Sequence, residues 1–155
     1  MGFNRYIKGA AGAVALTISV FILPFEGRNL VAFLDPVGIP TICDGTTQGV
    51  HIGQVATAQQ CDAMTERDVT AALAVVDNAV VSPMPDTRRA ALASFVYNVG
   101  PHPFLKSTLL KKLNAGDVVG ACNQLTRFVY AKGHKLNGLV RRREAERQMC
   151  LKGAI

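Results

Sequence analysis

The sequence predicts an α+β domain, mostly helical, in which a small β subdomain precedes a helical body. Three observations lead there. The 155 residues are 49% hydrophobic, enough for one core and too few for a second full domain. Between positions 41 and 55 short apolar runs are separated by Gly45 and Gly49, a pattern of brief strands joined by turns. From Thr57 onward Ala, Val and Leu recur at helical spacing between start and stop signals. The same composition excludes a disordered chain and a collagen-like repeat.

The first element is apolar. Gly9 to Phe25 carries no charge for 17 residues and follows Arg5 and Lys8, a length at the short end of what spans a bilayer. Basic residues kept on the cytoplasmic side would place the N-terminus inside and everything after Phe25 outside. The run ends in Leu23, Pro24, Phe25 and Glu26, without the small-x-small site that removal of a signal peptide requires. Its first half is Gly9, Ala10, Ala11, Gly12, Ala13 and Ala15, residues that gain little from lipid, so the segment suits export without cleavage and a temporary stay in the membrane. A cleaved signal peptide and a buried core helix are the plain alternatives.

Glu26 to Leu34 reads as a short helix turning at Asp35 and Pro36, and a loop with Gly38 and Pro40 follows. Thr41 to Asp44 and Val50 to Val55 read as strands. Thr57, Ala58, Gln59 and Gln60 fit a capping box that opens a helix to Val81, ended by Ser82, Pro83, Met84 and Pro85. Asp86 is expected to cap a second helix through Tyr97, with a break from Gly100 to Pro103. Ser107 opens a third helix to Leu113, and Asp117 to Tyr130 and Val140 to Leu151 complete the body.

Charge is concentrated at the end of the chain. From Arg127 onward eight Lys and Arg face Glu144 and Glu146, while residues 1 to 126 are neutral. A basic tail points to an anionic partner: nucleic acid, anionic lipid or an anionic cell wall. None of Cys43, Cys61, Cys122 and Cys150 sits in a CxxC or beside a ligand-spaced His, so no metal is expected. Two disulfides are expected if the chain is exported, and reduced core thiols if it is not. His51, His102 and His134 are scattered near Gly or Pro and read as loop residues without a role; Phe95, Phe104 and Phe128 read as core.

Glu26, Asp35 and Thr41 stand nine and six residues apart, close enough in the chain to fold into one cleft. Glycoside hydrolysis needs one carboxylic acid to protonate the leaving oxygen and a second carboxylate to steer water or attack the sugar, and Thr41 would supply a hydroxyl to hold that water. No cofactor is called for.

The surrounding residues carry more. Glu26-Gly27-Arg28, Asp35 and Gly38-Ile39-Pro40-Thr41-Ile42, with Gly45 and Thr47, strongly resemble the start of the phage lysozyme family that includes the T-even phage enzymes, glycoside hydrolase family 24. Ala91 to Gly100, then Phe104, Ser107 to Leu110 and Leu113 to Asp117, resemble its second lobe. Gly138 to Arg147 is similar to its basic C-terminal helix. The resemblance covers about Glu26 to Leu151, and with the uncleaved apolar segment in front the whole looks like a signal-anchor-release (SAR) endolysin.

The resemblance implies a two-lobed lysozyme fold, with residues 1–25 as the signal-anchor-release segment and 26–155 as the catalytic domain. It implies hydrolysis of the β-1,4 bond between N-acetylmuramic acid and N-acetylglucosamine in peptidoglycan, with inversion. Glu26 matches the general acid, Asp35 the carboxylate that positions water, and Thr41 the assisting hydroxyl. Tyr97 and Asn98 fall where the family lines its sugar cleft, and Arg142 where an arginine supports the acid. The expected partners are peptidoglycan and, through residues 9–25, the inner membrane before release into the periplasm; a monomer is expected.

This chain has Cys43 where many members have glycine. The 17 residues between Cys43 and Cys61 suit a disulfide closing the β subdomain, with Cys122 and Cys150 pinning the last helix, although four cysteines allow three pairings. Three other readings compete. A membrane-anchored, non-catalytic wall-binding protein would not need Glu26, Asp35 and Thr41 together. A nucleic-acid-binding protein fits poorly with export and with Glu144 and Glu146 among the arginines, so no nucleic acid is expected. A lytic transglycosylase would have no use for a water-holding pair.

Overall fold

Residues 11–154 are described by the computed structural model. The apolar segment is one continuous helical rod, α1 (Ala11–Thr17), a π-helical stretch Ile18–Ile22 and a last turn α2 (Leu23–Phe25). One face of it is buried against the fold. Ala13, Val14 and Ile22 pack with Val69, Leu73 and Ala93, and Phe21 enters the main core beside Leu92 and Phe95. The wide π turn lets the consecutive Phe21 and Ile22 both be fully buried, each stabilising the docked position by about 2 kcal/mol. Among the described residues no helix is long and apolar enough to cross a membrane.

After Glu26 the chain forms β1 (Asn29–Leu34), antiparallel to β2 (Pro40–Cys43). The short helix expected from Glu26 to Leu34 is therefore corrected to a strand. So short an isolated stretch nucleates a helix poorly, whereas extended it pairs on both sides. Phe33 faces Thr41 in the ladder with β2, and the Ala32 and Ala56 N–H groups donate to the Gln54 and Leu30 carbonyls across the other edge. Ala32 meets Ile42, Cys43, Val50, Ala56 and Cys61 in a separate small core. Val50–Val55 is not a strand: Gly49 and Gly53 take positive φ, and one bridge, Val31 to Val55, remains of the expected pairing.

The capping box at Thr57 is complete, with both reciprocal hydrogen bonds, and opens α3 (Ala58–Ala79). α4 (Asp86–Val99) runs through the centre of the molecule, and every residue from Ala90 to Val96 is buried. Its N-cap is Pro85, not Asp86; the Asp86 carboxylate instead accepts from Arg89. Gly100, at φ 87°, ends α4 as expected, yet the chain resumes at once as α5 (Pro101–Leu105), which contains His102. Proline needs no helical N–H partner in the first turn. Ser107 and Asp117 cap α6 (Thr108–Asn114) and α7 (Val118–Gln124).

The expected helix from Asp117 to Tyr130 stops early. A 3-10 turn Leu125–Arg127 leads into a hairpin of β3 (Tyr130–Ala131) and β4 (His134–Lys135), turned by Lys132 and Gly133 at positive φ. α8 (Asn137–Leu151) returns against α4. Disulfides join Cys43 to Cys61 and Cys122 to Cys150, which resolves the pairing left open by the sequence. The first ties β2 to α3, the second α7 to α8. Phe95 and Phe104 are fully buried, and Phe128 meets Phe95 edge-on at 4.7 Å.

Candidate active site

Glu26 ends the N-terminal rod: its N–H closes the last turn on the Ile22 carbonyl at 2.8 Å, and its backbone turns extended. α8 meets it from the other side. Arg142 Nη1 donates to Glu26 Oε1 at 2.5 Å, and the same guanidinium lies 6.0 Å from the Phe25 ring. The seating of the rod therefore delivers Phe25 and Glu26 together to one arginine. Oε2 accepts no hydrogen bond from the described residues and faces Gly45. A side chain there would begin 3.5 Å from Oε2 and 3.8 Å from the Tyr97 ring, so glycine serves both the turn, at φ 102°, and the open space beside the acid.

The turn carrying Gly45 is held from three sides. Tyr97 Oη donates to the Asp44 carbonyl at 2.6 Å, the buried Asp44 carboxylate takes Arg28 in a bidentate pair, and Thr65 Oγ1 donates to it at 2.5 Å. Burial alone would raise the Asp44 pKa, but the hydrogen bonds from Arg28 and Thr65 outweigh it and hold the carboxyl below its ordinary value. A carboxylate depressed in the folded state stabilises above its unfolded pKa, about 3.9, and loses that contribution as pH falls through the folded value. Asp44→Asn should therefore cost about 2 kcal/mol at pH 7, with the gap to the parent closing on acidification below about pH 4. Chemical denaturation at several pH values reads this directly, and a pH-independent gap would contradict it.

Asp35 and Thr41 meet at Ile39. Asp35 Oδ1 accepts from the Ile39 N–H at 2.8 Å and the Val37 N–H at 2.9 Å, while Thr41 Oγ1 and the Asp35 N–H both donate to the Ile39 carbonyl. The β1–β2 turn is thus wrapped around these two polar side chains. Asp35 Oδ2 accepts no hydrogen bond from the described residues. Thr41 sits in β2, three positions before Asp44, so the anchored turn and the threonine share one short strand.

Tyr97 lines a cavity of about 260 Å³ with Gly45, Gln48, Asp68 and Pro101. Its hydroxyl is committed to Asp44, and burial, then the negative charge of Glu26, pushes its pKa up. Asn98 is exposed, and its Oδ1 accepts from Arg143 Nη2 at 2.5 Å. Beneath lies a charged cluster that sequence reasoning missed. Arg143 and Glu146 are both fully buried, Arg143 Nε stands 3.0 Å from Glu146 Oε2, and Ser94 Oγ donates to Glu146 Oε1 at 2.7 Å. Burial draws Arg143 down to about 10, still a cation at neutral pH, and pushes the Glu146 carboxyl up. The i,i+3 spacing of Arg143 and Glu146 was the available signal.

Known proteins share this architecture. Residues 24–146 match the family model described as phage lysozyme. The chain belongs to the phage lysozyme family. It is 38% identical to a SAR-endolysin of Enterobacteria phage PA-2, across 97% of this chain and 96% of that protein. The crystal structure of the active form of P1 phage endolysin superposes with a TM-score of 0.79 at 27% identity, covering 98% of both chains. The secreted inactive form of that endolysin gives 0.57, over 70% of this chain and 77% of that one. This phage lysozyme is a glycoside hydrolase, a peptidoglycan-hydrolysing muramidase of the endolysin type.

Proposed function

We propose that Glu26, Asp35 and Thr41 carry out the hydrolysis, with Glu26 as acid and Asp35 and Thr41 as the pair that holds the attacking water. The observation that carries this reading is the seating of Glu26, with Oε1 held by Arg142 and Oε2 left open beside Gly45. Oε2 gives its proton to the leaving glycosidic oxygen as the bond to the anomeric carbon breaks. A water accepted by Asp35 Oδ2 and Thr41 Oγ1 attacks that carbon from the opposite face and passes its proton to Asp35. One water is consumed, one reducing end appears, and the configuration inverts.

Asp35→Asn should lose activity about a hundredfold or more, as loss of a general base does. Thr41→Ser keeps the hydroxyl and should retain activity that Thr41→Val loses. Equal loss in the two threonine variants would show that the hydroxyl is not what matters. Mass analysis of wall digests should find reducing ends carrying oxygen from labelled water; anhydro ends would mean transglycosylation instead.

Residues 1–25 act in this reading as the signal-anchor and 26–155 as the catalytic domain, a monomer that is inserted in the inner membrane with its N-terminus inside and then freed into the periplasm. Support comes from the apolar run behind Arg5 and Lys8, which ends without a small-x-small site, and from the likeness to SAR-endolysins. The docked rod, together with the higher TM-score to an active than to an inactive endolysin, supports reading this structure as the freed state. Cell fractionation with gel sizing tests it: full-length chain is expected first in the membrane and later in the periplasm.

A further inference from the structure

α8 presents two consecutive buried arginines, and each reaches a different polar residue. Arg142 holds Glu26; Arg143, 5.1 Å from the Phe95 ring and paired with Glu146, reaches outward to Asn98. A guanidinium can only donate, so the Asn98 atom that meets Arg143 Nη2 must be the amide oxygen. That contact fixes the orientation of the carboxamide. The remaining group, Nδ2, has two N–H donors and no partner among the described residues, and Asn98 itself is exposed, between Tyr97 and Gly100, which line the cavity.

The cost of this arrangement indicates a function beyond holding the core together. A buried Arg–Glu pair is often no more stabilising than apolar side chains of the same volume, and here Arg143 Nη1 and Glu146 Oε2 remain without hydrogen bonds. The pair does, however, place a fixed, charged donor behind the oxygen of one exposed amide.

We propose that Arg143, seated by Glu146, is a positioning residue that locks the Asn98 carboxamide with its oxygen inward, so that Nδ2 is presented as an oriented donor to an oxygen of the bound glycan. An N-acetyl carbonyl or a sugar hydroxyl fits that donor. The inference rests on the muramidase reading of the site and adds to it which atom of Asn98 binds and what orients it.

The variant that separates binding from structure is Asn98→Asp. It keeps, and strengthens, the acceptor for Arg143 while removing both Nδ2 donors. Steady-state kinetics on soluble peptidoglycan fragments should show KM raised about tenfold, kcat changed less than threefold, and a melting temperature at or above that of the parent. Arg143→Lys, which keeps the charge for Glu146 and loses the planar fork, should raise KM similarly, and should add nothing to Asn98→Ala in a double-mutant cycle. Parental KM in Asn98→Asp, or additive effects of Arg143→Lys and Asn98→Ala, would overturn the proposal and leave the hydrolase reading intact. Absence of any turnover by the parent chain would instead remove that reading.

Discussion

Glu26→Gln is expected to abolish wall hydrolysis, by a factor of a thousand or more, while the domain stays folded. An amide cannot deliver a proton to the leaving oxygen, and loss of a positioned general acid costs two to four orders of magnitude. The structure explains why the fold should survive. Glutamine offers the same carbonyl oxygen to Arg142, and Arg142 Nε keeps Glu146 Oε1 at 3.4 Å as a second counter-charge. Its packing beside Phe25 is untouched. A zymogram with embedded walls measures the loss and a thermal melt the fold. Parental clearing by Glu26→Gln would refute the assignment of the acid, whereas loss of activity together with unfolding would show that Glu26 is needed for structure as well.

What was legible in the sequence, and what was not, follows the range of the interactions. The capping box at Thr57, the Ser107 cap and the buried Phe95 and Phe104 depend on neighbours within a few positions or on apolar character alone, and both are written in the local sequence. Asn29–Leu34 was misread because its partners are distant. The strand exists through Pro40–Cys43 and through the Gln54–Ala56 edge, neither of which a nine-residue window contains. The hairpin at Tyr130–Lys135 was missed for a related reason: strands of two residues have almost no periodicity to read. At the site, the Glu26–Arg142 contact was anticipated through family likeness, 116 positions apart in the chain. The Arg143–Glu146 pair was overlooked because the charges of the last helix read as part of a basic tail for an anionic partner, and burial reverses that meaning.

In the proposed signal-anchor reading, membrane insertion and folding compete for the same apolar residues, and leucine substitutions there should silence lysis. Gly12→Leu and Ala13→Leu each make insertion more favourable by about half a kcal/mol. The folded domain penalises them too. A side chain on Gly12 would begin 3.0 Å from Asp86 Oδ2, and Ala13 is completely buried against Val69, Leu73 and Ala93, where three extra carbons force overpacking worth about 1–3 kcal/mol. Both effects favour the membrane over the docked state. Since docking is what carries Glu26 to Arg142, the double variant should stay in the membrane fraction without activity. Ser19→Leu separates the two causes, because Ser19 is exposed on the docked rod: it should delay release, yet give a normally active enzyme once extracted. The Gly12 and Ala13 double variant should remain weak even after extraction. If it lyses cells as fast as the parent, docking of residues 11–25 does not control the enzyme, and the segment serves export alone.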